Sequence, residues 1–329
     1  MILLFFVKIQ YYITLTFVQG TLMFSYFNPK FARSILVILL ASLSLISHAK
    51  MSSDESAGES PDRNFTGFEA LDEAQPLWEF GAAGGFVEVA NYPTSSERNF
   101  IAFAAPYLIY RGDVFRVGGG SARAVMFEKT NFEVDLSFGG AFAADSDDNT
   151  AREGMPELDF LFEVGPQFTY KVKDFSFDNG GNARLNVRLQ TRSVFSTDFG
   201  RINHRGYVIE PTLSYQQRGV IFEKTGFSMS FSATYASEKL HDYFYQVNAD
   251  FATDTRGEFD AKGGYLGSEL SLGFSFPVTK NSRGFLGGSA QFHQGAANEE
   301  SPLYEDDVTF SFGAGFVWRL YESNAKASW

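Results

Sequence analysis

Cysteine is absent from all 329 residues. That excludes a disulfide scaffold, a Cys-ligated zinc or iron–sulfur centre, a thiol nucleophile and a lipid-bearing N-terminal cysteine. Positive charge is also scarce, with 27 Lys and Arg against 39 Asp and Glu, a net charge of −12. Neutralising phosphates takes clustered Lys and Arg, so no nucleic-acid partner is expected. Histidine numbers only 4. What the chain has in plenty is aromatic side chains, 37 Phe and 15 Tyr, yet its mean hydropathy is only −0.13. The apolar residues must therefore be interleaved with polar ones, which a helical membrane protein does not do. The length alone would allow two domains, but all-β barrels and sandwiches often reach this size as one unit.

The N-terminus reads as an address. Residues 1–18 are mostly apolar, and Met23 then opens a second start. Lys30 and Arg33 precede an apolar run from Ser34 to Ile46, closed by Ser47-His48-Ala49. Counted from Met23 this is 27 residues, a signal-peptide length with a small-residue cleavage site. The apolar run is too short to span hydrocarbon, which takes ~20 residues. Removal of residues 1–49 takes away three basic residues and no acid, moving the charge from −12 to −15. Residues 50–75 are polar and acidic, with seven acids against Lys50 and Arg63. So few large apolar side chains cannot offset ordering entropy, and a flexible leader is expected there.

From Pro76 onward the chain breaks into segments of period two. Phe227–Tyr235 alternates apolar and hydroxylated residues throughout, and Val308–Leu320 places aromatics on one face and Thr, Ser and Gly on the other. Phe132–Phe138 and Leu270–Phe276 repeat the pattern. Successive strand side chains point to opposite faces, so each segment has one apolar and one polar side. Residues 184–193 decide what the polar side sees: Arg184, Arg188 and Arg192 share it with Asn186 and Gln190. An Arg facing lipid near the midplane costs roughly 2–4 kcal/mol. Three on one strand must face inward, toward the acids Glu133, Asp135, Asp159 and Glu163. Several stretches run about nine to thirteen residues, the length of a tilted membrane strand and not of the usual soluble one. The expected fold is all-β: an antiparallel transmembrane barrel over residues 76–329, with about 12 strands or else 10. A secreted β-sandwich is the rival. No sustained helical periodicity follows the signal, so no helix is expected. Turn chemistry falls at 111–113, 178–181 and 280–282, and longer connections at about 144–157, 250–263 and 294–307. Gly118-Gly119-Gly120 reads equally as a bulge or a hairpin turn.

Four blocks, in order, carry a resemblance. The first is Asn91–Arg98 followed by Pro106-Tyr107-Leu108-Ile109-Tyr110-Arg111-Gly112-Asp113. The second and most specific is Ala151-Arg152-Glu153-Gly154-Met155-Pro156-Glu157-Leu158-Asp159, with Glu163-Val164-Gly165-Pro166 behind it. Asp242–Val247 is the third, and Leu286–Ala290 with Ser301-Pro302-Leu303 the fourth. Together they resemble the MipA/OmpV family of outer-membrane proteins (MltA-interacting proteins) over about 80–320. Ser95-Ser96 stands where the family has Gly-Ser, and the chain ends Ser328-Trp329 beyond the last strand. The resemblance implies an outer-membrane barrel without cofactor. In its best-described member that barrel tethers a murein lytic transglycosylase and a peptidoglycan synthase. Other members are porin-like or adhesive.

Catalytic candidates are few. His204, near Asp198 in an expected loop, lacks a nucleophile at matching depth; read as strand neighbours, His241 and Asp242 would face opposite sides, and all three of His204, His241 and His293 read as solvated loop or lumen histidines. Asp145–Asn149 lacks the Gly and Glu of a calcium loop. No catalytic residue, metal or cofactor is therefore expected. Arg152, Met155 and Pro156 read equally as a family-specific interaction site or as a turn into the next strand. Contacts with murein enzymes are expected through periplasmic connections and the leader.

Overall fold

The computed structural model describes Phe68, Glu69 and residues 73–327, apart from 114, 119–120, 130, 142–148, 178–180, 199 and 221. Residues 1–67, which hold the expected signal peptide and most of the leader, lie outside the described residues, as do Asp145–Asp148.

Twelve strands form one closed antiparallel barrel in which each strand pairs with its neighbours in sequence and β1 with β12. They are β1 (Trp78–Ala90), β2 (Arg98–Arg111), β3 (Phe115–Gly118), β4 (Ser121–Lys129), β5 (Phe132–Ala141) and β6 (Phe160–Ser176). The second half comprises β7 (Asn182–Thr197), β8 (Ile202–Arg218), β9 (Gly226–Ala236), β10 (Gly264–Thr279), β11 (Ser282–Phe292) and β12 (Val308–Glu322). Closure removes the unpaired edge that lipid could not satisfy. Gly118 pairs with Ser121 where β3 meets β4, the pairing that the hairpin reading of the triple glycine calls for.

Alternation sorts the side chains as expected. On β7, Val187 and Leu189 are 41% and 46% exposed on the outer wall, whereas Arg184 is 1% exposed and Gln190 6% in the lumen. Trp78, Phe80, Trp318 and Tyr321 form an outward aromatic group at one end of the wall, and Phe100, Phe292, Phe310 and Phe312 at the other. Such girdles mark the two membrane interfaces.

The connections are unequal. At the end carrying the first residue of β1 and the last of β12, the turns are short, such as 112–114 and 280–281. The opposite end carries 142–159, 237–263 and 293–307. Outer-membrane barrels keep short turns in the periplasm and long loops outside. That rule makes the end bearing both barrel termini periplasmic.

One helix departs from expectation: α1 (Glu238–Tyr245) sits in the loop after β9. Its buried residues Leu240, His241, Phe244 and Tyr245 fall at i, i+1, i+4 and i+5 on one face. Two turns are too few for periodicity to emerge in the 11–18-residue window where it is read.

Gly165 is a close-approach position, because a Cβ there would collide with the Thr191 carbonyl on β7. Gly165→Ala is expected to push β6 and β7 apart and reduce the yield of heat-modifiable barrel on unboiled gels; a normal yield would show that the strands can give way.

Candidate functional site

Chain segments pack against the barrel wall near both ends of the lumen, with polar residues between. At the periplasmic mouth Arg111, Arg218, Arg283 and Arg319 surround two acids. Glu79 is fully buried, paired with Arg111 and, at 3.3 Å, with Arg319. Arg111 also donates from Nη1 to the Pro76 carbonyl at 2.9 Å. It is the first residue of a periplasmic turn, Arg111-Gly112-Asp113, and is itself buried. Arg319 pairs with Glu69 and with Glu322 (2.9 Å), and its guanidinium lies 4.5 Å from the Phe68 ring centroid. Arg218 Nη2 donates to the Glu69 carbonyl at 2.7 Å, and Lys224 reaches Glu73 at 3.7 Å. The expectation of a flexible leader thus fails for its described part: Phe68 and Glu69 are held in the mouth by cations of the barrel. Backbone bonds of 2.8 Å from Leu77 to Ala325 and from Ala327 to Gln75 join the leader's end to the C-terminal tail.

Inside the barrel the expected charge network forms only in part. Arg192 lies 2.8 Å from Glu163 and 3.3 Å from Glu210. Arg184 pairs instead with Asp174 at 2.6 Å, across the β6–β7 hairpin. A register shift between Lys171 and Lys173 brings Asp174 opposite Arg184, an irregularity that alternation cannot announce. Glu133 and Asp135 are fully buried, and Asp135 accepts from Gln167 Nε2 at 3.1 Å. Asp159 leaves the network altogether: it lies at the outer end, 3.7 Å from Arg205. Arg188 Nε is buried without a hydrogen-bond partner, and the residue forms no ion pair with a described residue, its nearby acids being Glu210 and Asp135. Tyr107 faces the lumen, where its ring packs against Gly81, and the Tyr110 ring packs on Gly112.

At the outer end parts of all four sequence blocks meet. Tyr92, Leu158, Leu240, Phe244, Tyr245, Val247 and Leu303 belong to one buried apolar cluster, with Met155 packed against it. Arg152, 4% exposed, is the central clamp: Nη1 donates to the Phe244 carbonyl at 3.0 Å and Nη2 to Pro156 at 3.1 Å. Its guanidinium also lies 5.7 Å from the Tyr92 ring centroid. Of the three residues Arg152, Met155 and Pro156, the first is buried, the second packs against the cluster and the third is exposed. Gly154 supplies the left-handed φ of +74° that lets this loop turn back. Tyr92 Oη donates to the Leu303 carbonyl at 2.8 Å, Tyr245 Oη to Pro93 at 3.0 Å and Tyr243 Oη to the Asp159 carbonyl at 3.3 Å. Burial pushes the Tyr92 and Tyr245 hydroxyls up and Tyr243 to about 12, so all three stay donors at neutral pH. Ser95, the departure from Gly-Ser, is buried and accepts from Asn149 Nδ2 at 2.8 Å.

The histidines serve this plug. His241 Nε2 faces the Gly264 carbonyl at 3.2 Å, while Nδ1 lies 2.7 Å from Asn298 Nδ2. His293 lies between the Leu266 carbonyl (3.4 Å) and Thr309 Oγ1 (3.0 Å). His204 makes edge-to-face contacts with Phe195 and Tyr207. Ser237 Oγ accepts from the Tyr207 amide and does not meet His241. Sequence reasoning missed Arg256, whose Nη1 donates to the Ala151 carbonyl at 2.9 Å and the Glu153 carbonyl at 3.0 Å. An arginine amid a long acidic loop was its one visible signal.

The family model described as MltA-interacting protein MipA matches residues 80–320. None of the curated proteins matches in sequence. Among solved structures, the NanC porin is 8% identical with a TM-score of 0.35, covering 73% of this chain and 100% of its own. Outer membrane phospholipase A from Escherichia coli is 11% identical with a TM-score of 0.31, covering 77% and 95%. Outer-membrane-expressed OmpT of Vibrio cholerae is 11% identical with a TM-score of 0.27, covering 76% and 100%.

Proposed function

Because the chain belongs to the MltA-interacting protein family and is an outer-membrane barrel, we propose that it is a non-enzymatic scaffold gathering peptidoglycan-processing enzymes at its periplasmic face. The observation that supports this reading best is the packing of the barrel's own chain near both ends of the lumen, loops outside and the leader's end and tail within. A barrel filled by its own chain in this way is built to present surfaces more than to pass solutes. The partners would be a murein lytic transglycosylase and a peptidoglycan synthase. They would bind the periplasmic turns and the leader, whose net charge of −5 suits a basic partner. Such contacts weaken with salt over a Debye length of about 8 Å.

Pull-down from envelope extract tests it. The intact mature chain is expected to retain a murein enzyme, and a chain lacking residues 50–75 to retain less. Arg152→Ala, at the far end, should leave recovery unchanged. Failure of the intact chain to recover any murein enzyme would remove the scaffold reading. Planar-bilayer recording of the same preparation is expected to pass little current; large stable openings would favour a diffusion channel.

A further inference from the structure

We propose that the lumen cavity at Arg188 binds a small, singly charged, hydroxyl-rich anion, such as a sugar carboxylate, with Arg188 as the residue that recognises its charge. Arg184, Arg192, Arg283 and Arg319 each find an acid, carbonyl or hydroxyl within the barrel. Arg188 makes no hydrogen bond or ion pair to a described residue, although it stands mid-strand where β7 pairs with Thr212 of β8, and its Nε is buried without a partner. A buried donor left without a partner carries a desolvation cost. Its planar fork of donors matches a carboxylate in two-point geometry.

The space in front of it is prepared for more than water. Arg188 lines a cavity of about 240 Å³ together with Ser214, Gln216, Ser228, Ser230 and Ser271. A single water needs about 10–15 Å³ on the same measure, so the cavity accommodates a solute several heavy atoms long. Four hydroxyls and one amide can each donate and accept, which suits a ligand that is itself rich in hydroxyls.

Directly toward the plug lies a second cavity of about 190 Å³, lined among others by Glu210, Glu269, Thr234, Gln291 and His293. Ser271 joins the two, lining the first while donating to Glu269 Oε1 at 2.5 Å. Two carboxylates there repel a second negative charge and accept from hydroxyls. The ligand's carboxylate therefore lies at Arg188 and its uncharged end toward Glu210 and Glu269. This site goes beyond the scaffold reading and shares no residue or readout with it, so either can fail alone.

Equilibrium dialysis of the detergent-purified mature barrel with labelled glucuronate tests the proposal, using glucose, glucarate and acetate as competitors. Saturable glucuronate binding is expected. Glucose, glucarate and acetate should each compete about tenfold less well or worse. Arg188→Gln should weaken glucuronate binding about tenfold or more, since a charged hydrogen-bonding partner is lost. Arg188→Lys should retain part of the affinity. Heat-modifiable migration of both variants confirms that the barrel is folded. No saturable binding by the intact chain, or equal binding by Arg188→Gln, would overturn the proposal. Equal competition by acetate would overturn the role of the hydroxyl lining, and equal competition by glucarate the role of the two glutamates.

Discussion

Arg152→Ala is expected to free the outer loops while the barrel stays folded. The substitution leaves the buried Phe244 carbonyl without the Arg152 donor, removes a contact to Pro156 and takes a cation from beside the Tyr92 ring. An unsatisfied buried polar group costs about 1–3 kcal/mol of plug stability. At about 1.4 kcal/mol per tenfold, loop opening rises at least about fivefold. Proteolysis of an intermittently opened segment follows the population of the open form when opening is fast. Cleavage of the 237–263 loop in folded protein should therefore accelerate by that factor, with the slow gel form of the barrel unchanged on unboiled gels. Arg152→Lys should fall between, because one ammonium cannot hold two divergent carbonyls as a fork does. Cleavage at the wild-type rate in Arg152→Ala would show that the apolar cluster alone holds the loops.

Arg152 also marks the limit of what the sequence discloses. Alternation correctly predicts which way Arg184, Arg188 and Arg192 point, because the direction of a strand side chain depends only on parity. The choice of acid depends on register across the ladder, and the Lys171/Lys173 irregularity re-aims Asp174 toward Arg184. The four blocks are recognisable one at a time in the chain. Their convergence is not, since Tyr92 and Leu303 lie 211 residues apart and meet through a single 2.8 Å bond. The same holds for Glu69 and Arg319, separated by 250 residues. The composition of 50–75 speaks only to whether this stretch can build a core of its own. It carries no sign that the barrel mouth offers four arginines to receive Phe68 and Glu69. Short α1 escaped for a local reason, its two turns being flanked by strands whose alternation dominates any reading window.

Acidification is the second route by which the plug should open, and its sign follows from the two buried histidines. Burial holds His241 and His293 below the ordinary histidine value, so the folded plug favours their neutral forms. In the neutral state with Nε2 protonated, His241 donates to the Gly264 carbonyl and accepts from Asn298 Nδ2. A second proton on Nδ1 would set donor against donor at a separation of 2.7 Å. The unfolded loop takes that proton near pH 6.5, the folded one only at lower pH. Between those values the open form binds more protons, and plug stability falls as pH falls. Asp242 opposes this. Desolvation, with Glu238 and Asp260 nearby, raises its carboxyl, so its protonation stabilises the folded loop as pH falls toward the ordinary Asp value. The histidines act first on the way down from neutrality, because their window begins at about 6.5. Hydrogen exchange of the 237–263 amides should therefore quicken, relative to those of β7 and β8, as pH is lowered from about 7.5 to about 5.5 and after correction for intrinsic exchange. His241→Gln should remove much of that dependence, and Asp242→Asn should steepen it. A pH-independent ratio of loop to strand protection in the wild-type chain would show that neither histidine is linked to opening.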